Sequence, residues 1–121
     1  MIEATIAALG GYRPRRVVTN EELSRTVDTT PEWILSRVGI EERRIASDDE
    51  TLVGMGAAAS TAALDAAGLP ADAVDTVVVA TCTAETAIPQ AASRVARDIG
   101  ARGPGPSTST PAAQGSPMGW P

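Results

Sequence analysis

The sequence predicts an α/β fold on three observations. Apolar residues alternate over residues 2–9, as Ile2, Ala4, Ile6 and Ala8 do, which is the pattern of a strand. The β-branched run Thr76-Val77-Val78-Val79-Ala80-Thr81 reads as a later strand, buried on both faces. Between and beyond these runs, helix-start and helix-stop residues bracket separate helical stretches. The predicted order is strand, helices, strand, helix, strand, helix, which implies at least one parallel crossover.

Each element has its own local signals. Gly10-Gly11 ends the first strand, and Tyr12-Arg13-Pro14 continues as an extended or turn segment because the residue before proline avoids the helical region. Thr19 with Glu22 three residues on fits a capping box for a short helix, with Asn20 as a competing cap. Thr30 then caps a second helix, with Pro31 at its first position, Glu32 at its positive end and Gly39 as its stop. Residues Ile40 to Ala46 read as a short, partly exposed strand. The longest helix runs from Thr51 to Ala67, after the acidic run Asp48-Asp49-Glu50 and before Gly68 and Pro70. Its Gly54, Gly56 and many alanines let it press against a neighbour. Pro70-Ala71-Asp72 is a turn. Pro89 starts a last helix over roughly Gln90 to Ile99, stopped by Gly100.

The chain of 121 residues suits one modest domain or a piece of a larger one. Residues 1–100 form the folded part. In residues 101–121, 14 of 21 are Gly, Pro, Ser or Thr, a composition that cannot build a packed core and reads as a disordered tail. The core must use small side chains with Val, Ile and Leu, since there is no Phe and only one Tyr.

Composition removes several function classes. The net charge is −5, and all ten basic residues are Arg, so nothing resembles a nucleic-acid surface. The absence of His excludes an imidazole base from these residues and removes the commonest metal ligand. The single cysteine, Cys82, forms no internal disulfide or cysteine-rich zinc site and favours a reducing, cytoplasmic setting. No apolar run approaches the roughly 20 residues of a membrane span. The N-terminus lacks the basic region of a signal peptide.

Four segments together carry a resemblance: ALGGYRP (8–14), VVTNEEL (17–23), VDTTPEWILSRVGIEERRIA (27–46) and VVVATCTAETAIPQAAS (77–93). They resemble the start of bacterial 3-oxoacyl-acyl-carrier-protein synthase III, with EWILSRVGIEERR the most specific part. The resemblance implies an incomplete thiolase-like fold, a mixed sheet with packed helices. It implies a condensing enzyme that begins fatty-acid chains from acyl-CoA and malonyl-carrier protein. Acyl-CoA and acyl-carrier protein would be its partners, with a homodimer in the full-length family. It implies no cofactor beyond the CoA thioester substrate, and neither nucleic acid nor membrane. The family's catalytic Cys, His and Asn are absent here, and the resemblance stops at Gly103. Read one base out of frame, however, the codons for Gly105–Gly115 permit AFDLNAGCAGF, a string similar to the family's nucleophile motif. This is the expectation for a shifted reading frame that leaves an inactive fragment. A non-catalytic CoA-binding or subunit-interaction module is the alternative. So is a fragment of a polyketide-starter or hydroxymethylglutaryl-CoA synthase.

Trp33 and Arg37 are four residues apart and share a helix face. One reading is a CoA site, in which an exposed indole stacks adenine and the guanidinium pairs with phosphate. The other is a Trp half-buried under its own helix beside a solvated Arg. The resemblance favours the first for Trp33, where the family's matching Trp stacks the adenine. It leaves Arg37 and the neighbouring Thr29 balanced between the two. Cys82 reads as structural, since no base is available to activate it. The run Asp48-Asp49-Glu50 reads as a solvated cap, and Glu41-Glu42-Arg43-Arg44 as charged surface.

Overall fold

The computed structural model describes residues 4–81, 83–84 and 90–102. Its elements are β1 (Arg16–Thr19), α1 (Asn20–Leu23), α2 (Pro31–Val38), β2 (Glu42–Ile45), α3 (Leu52–Ala67), a 3-10 turn (Ala71–Ala73) and α4 (Ala91–Ile99). They fall into two compact units, Arg13–Thr51 and the remainder.

In the unit Arg13–Thr51, β1 and β2 pair antiparallel, with Arg16 opposite Ile45 and Thr19 opposite Glu42. Val18 on β1 and Ile34 on α2 are its buried apolar residues. The strand reading of 40–46 holds for Glu42–Ile45. Its partner Arg16–Thr19 was not foreseen, because four residues that begin with arginine carry too little pattern. Thr19 caps α1 as its spacing predicts, accepting the Glu22 N–H at 3.2 Å. Thr30 caps α2, accepting the Trp33 N–H at 3.2 Å, and Pro31 occupies the first turn. Gly39 ends α2 at φ +66°, donating its N–H to the Leu35 carbonyl at 2.9 Å. That left-handed conformation costs a side-chain-bearing residue more than glycine.

The acidic run is not wholly a solvated cap. Glu50 is buried, and its carboxylate accepts the backbone N–H groups of Arg15 and Ser47, each at 3.0 Å. Arg15 also pairs with Asp49. A buried carboxylate is tolerated only when its oxygens have such partners. Glu50 thereby ties the residue that precedes β1 to the segment that follows β2.

In the other unit, α3 and α4 pack through small residues. A Cβ built on Gly56 would lie 3.2 Å from a methyl of Val95. Val53, Ala92 and Val95 are buried. A Cβ built on Gly10 would strike the Ala59 carbonyl, the Ala63 amide and, at 2.9 Å, the Ala63 Cα. Residue 10 therefore lies directly on the backbone of α3, as the glycines and alanines of that helix led us to expect of a neighbour. Both helices end in paired bonds: Leu69 N–H to Leu64 and Gly68 N–H to Asp65, then Ala101 N–H to Ala96 and Gly100 N–H to Arg97.

Among the described residues two predicted strands do not form. Residues 4–15 have no regular structure, and Ile6 and Leu9 are 84% and 83% exposed. Residues 74–81 likewise make no ladder, and Val78 is 65% exposed, not buried on both faces. A strand exists only against a partner, and each of these segments lacks one among the described residues. The expected parallel crossover is not seen among the described residues for the same reason. The sheet described is two-stranded and antiparallel. Residues 2–3, Cys82, Pro89 and the predicted tail from 103 onward lie outside the described residues.

Candidate functional site

The site begins with the Thr30 cap, which starts α2 two residues ahead of Trp33. Four residues, about 1.1 helical turns, separate Trp33 from Arg37, so the helix brings the two to one face. The Arg37 guanidinium carbon sits 5.8 Å from the centroid of the Trp33 ring, within cation–π range. Trp33 is 57% exposed. Ile34, not Trp33, is the buried residue of α2, and an indole exposed to this degree accommodates both a shelf for a planar ligand and a ring half-buried against its own helix. Among the described residues Arg37 makes no ion pair. Thr29 lies two residues before α2. Its hydroxyl oxygen is buried and has no hydrogen-bond partner among the described residues.

The other side of α2 has different chemistry. Pro31, Glu32 and Leu35 line a groove of about 430 Å³ together with Thr19, Asn20, Glu21, Glu41 and Glu42. Two residues along a helix turn the side chain by about 200°, so Pro31 and Leu35 point away from Trp33 and Arg37. Four glutamates on the groove disfavour an anion there. The Trp33–Arg37 face, by contrast, joins an aromatic surface to a positive charge. Glu21 is held below the usual carboxylate range by its own backbone N–H, then by the Thr19 hydroxyl, with a smaller contribution from Arg25.

Asn20 and Arg43 were missed as a pair. Arg43 donates to the Asn20 side-chain oxygen at 2.5 Å, and Asn20 donates from its side-chain nitrogen to the Ile40 carbonyl at 2.8 Å. Arg43 is thus a structural ligand and not merely charged surface. No local pattern could reveal a contact between residues 23 apart. Among the described residues no group of three or more His, Cys, Asp or Glu could hold a metal ion. No described helix is long and apolar enough to cross a membrane.

Known proteins place this architecture among the thiolase-like condensing enzymes. The priming β-ketosynthase of a polyketide biosynthetic pathway superposes with a TM-score of 0.80 at 44% identity, over 83% of this chain and 30% of that one. No family model matches the chain. It is 48% identical over 103 residues to beta-ketoacyl-acyl-carrier-protein synthase III of a Chelativorans species. It is 53% identical over 100 residues to a Streptomyces coelicolor enzyme of the same name, numbered 4. Curated relatives at 42–53% identity are named beta-ketoacyl-acyl-carrier-protein synthase III, and the structural neighbours are thiolase-like enzymes of the same type. The chain spans about a third of the length of the curated relatives it matches, 32% and 31% in the Chelativorans and Streptomyces enzymes.

Proposed function

We propose that this chain is the part of an initiating condensing enzyme that carries the adenine shelf for acyl-CoA. The whole enzyme would join an acyl-CoA to malonyl-carrier protein and release 3-oxoacyl-carrier protein, acting in the cytoplasm as a homodimer. Residues 1–100 would belong to the condensing-enzyme domain, and residues 101–121 would be a tail outside it. The observation that carries this reading is the exposed Trp33 ring with the Arg37 guanidinium against it. A planar cation holds one part of the indole surface, and the remaining exposure admits a second planar group such as adenine. Arg37, free of an acidic partner among the described residues, would meet a CoA phosphate. The unsatisfied Thr29 hydroxyl is a hydrogen-bonding group that a bound nucleotide could satisfy.

These 121 residues include no His, so an imidazole-assisted condensation would need residues outside them. The isolated chain would therefore bind CoA without turning over. A second reading, the priming step of a polyketide pathway, is favoured by the similarity to the polyketide priming synthase. Both readings use the same CoA shelf.

The test is calorimetric titration of the chain with coenzyme A. Trp33→Ala should weaken binding by roughly five- to a hundredfold, the effect of losing about 1–3 kcal/mol of base stacking. In a whole enzyme with the same residue, KM for acyl-CoA should rise, while KM for the carrier-protein substrate, which lacks adenine, moves much less. Unchanged coenzyme A affinity in a folded Trp33→Ala chain would remove Trp33 from the site.

A further inference from the structure

We infer that Asn20 is a positioning residue for α2, clasping the backbone just beyond that helix so that Trp33 and Arg37 are presented at a fixed angle. The inference rests on the coenzyme A reading of Trp33.

Asn20 is only 4% exposed, unusual for an amide side chain at the start of a four-residue helix. Every polar group it carries toward this region is used. Its side-chain nitrogen donates to the Ile40 carbonyl at 2.8 Å, and its backbone N–H donates to the Glu41 carbonyl at 3.2 Å. Its side-chain oxygen accepts from Arg43 at 2.5 Å, and Arg43 also donates to the Thr19 carbonyl at 3.4 Å. Two successive carbonyls, two and three residues past the end of α2 at Val38, are thus held by one residue.

That attachment matters because α2 has little else to fix its rotation. It is eight residues long, and Ile34 is its buried side chain. A single apolar anchor is non-directional and permits rolling about the helix axis. Hydrogen bonds constrain direction as well as distance. With Gly39 in the left-handed cap, the clasped carbonyls follow almost immediately on the last turn, where Arg37 sits. Rolling α2 would carry Trp33 and Arg37 toward the acidic groove or away from a bound nucleotide.

The experiment uses the full chain, with coenzyme A as the probe, titrated calorimetrically well below each variant's melting midpoint. Asn20→Asp keeps the shape and the acceptor for Arg43 but replaces the donor to Ile40 with a second oxygen. It should weaken coenzyme A binding about fivefold, the scale of one net hydrogen bond. Arg43→Met, which removes the other strut, should act in the same direction and decides the matter if Asn20→Asp does not fold. Val95→Ala, a destabilising change in the other unit, should bind coenzyme A like the parent. A merely structural Asn20 would behave like Val95, lowering the melting midpoint without moving the affinity of the folded chain. Parental affinity in folded Asn20→Asp or Arg43→Met, with Trp33→Ala still losing binding, overturns the clasp and leaves the coenzyme A reading standing. Trp33→Ala binding like the parent, or a folded parent that does not bind, overturns both.

Discussion

Residues 13–51 and the α3–α4 pair are held by opposite means. The first region buries two apolar side chains and directs buried polar groups, Asn20 and Glu50, at backbone partners far along the chain. The second has no buried charged side chain among its described residues and works by omission: Gly10 and Gly56 occupy places where a methyl group would crowd a neighbour. Directional bonds hold a shape but tolerate small changes in volume. Close packing of small residues does the reverse, and is sensitive to a single added carbon. The candidate CoA face lies in the directional region, where orientation is what a stacking site needs.

The largest effect should come from breaking the close-packed region. Gly10→Ala puts a methyl group into the α3 backbone, which cannot move aside as a side-chain tip can. We expect a loss of about 3 kcal/mol or more, the upper end for overpacking. Amide exchange in α3 should accelerate while the Glu42–Ile45 ladder changes less. Equal loss of protection in both regions would mean that they are not held separately. Val95→Ala should cost roughly 2 kcal/mol by removing a buried side chain. Gly56→Ala then becomes informative, because its new methyl group would sit 3.2 Å from a Val95 methyl that is no longer there. The double variant should be more stable than the sum of the single losses implies. Strict additivity would deny the contact.

The directional region is tested by Glu50→Gln. The amide keeps one oxygen for a backbone N–H but turns an NH2 toward the other, leaving a buried donor facing a donor. We expect a loss of about 1–3 kcal/mol, read as a shift in the denaturation midpoint. A neutral result would return Glu50 to the solvated cap that the acidic run first suggested.

What was legible in the sequence follows the same division. Thr30, Pro31 and Gly39 delimit α2, and Gly68 and Gly100 end α3 and α4, because caps are local chemistry. The fit of α3 to a close neighbour was legible in Gly54, Gly56 and the alanines. Trp33 and Arg37 could be placed on one face from their spacing alone. The strands at 2–9 and 76–81 were overread, since alternation and β-branching state a preference that only a pairing partner can realise. Glu50 and Asn20 were underread. Their partners lie 35 and 20 residues away, and nothing adjacent to them announces burial. The family resemblance was legible in EWILSRVGIEERR, which contains the α2 helix, its left-handed stop and the strand that follows.

The smallest expected effect concerns Glu21, fully exposed at the start of α1. Its own backbone N–H and the Thr19 hydroxyl favour the ionised carboxylate and hold it below its ordinary value of 4.5. A group whose folded value is depressed adds stability above its unfolded value, and that contribution fades as pH falls through the folded value. The contribution is therefore intact at neutral pH and disappears only in acid. Thr19→Val removes the second cause and leaves the first, so the Glu21 midpoint should rise part of the way toward 4.5, as followed by the carboxyl carbon shift in an NMR titration. The same substitution removes the acceptor for the Glu22 N–H and should cost about 1 kcal/mol as a lost cap, at every pH. The two consequences separate cleanly: the cap loss is independent of pH near neutrality, whereas the Glu21 part appears only on acidification. An unmoved Glu21 midpoint in a folded Thr19→Val chain would show that the hydroxyl serves the Glu22 amide alone.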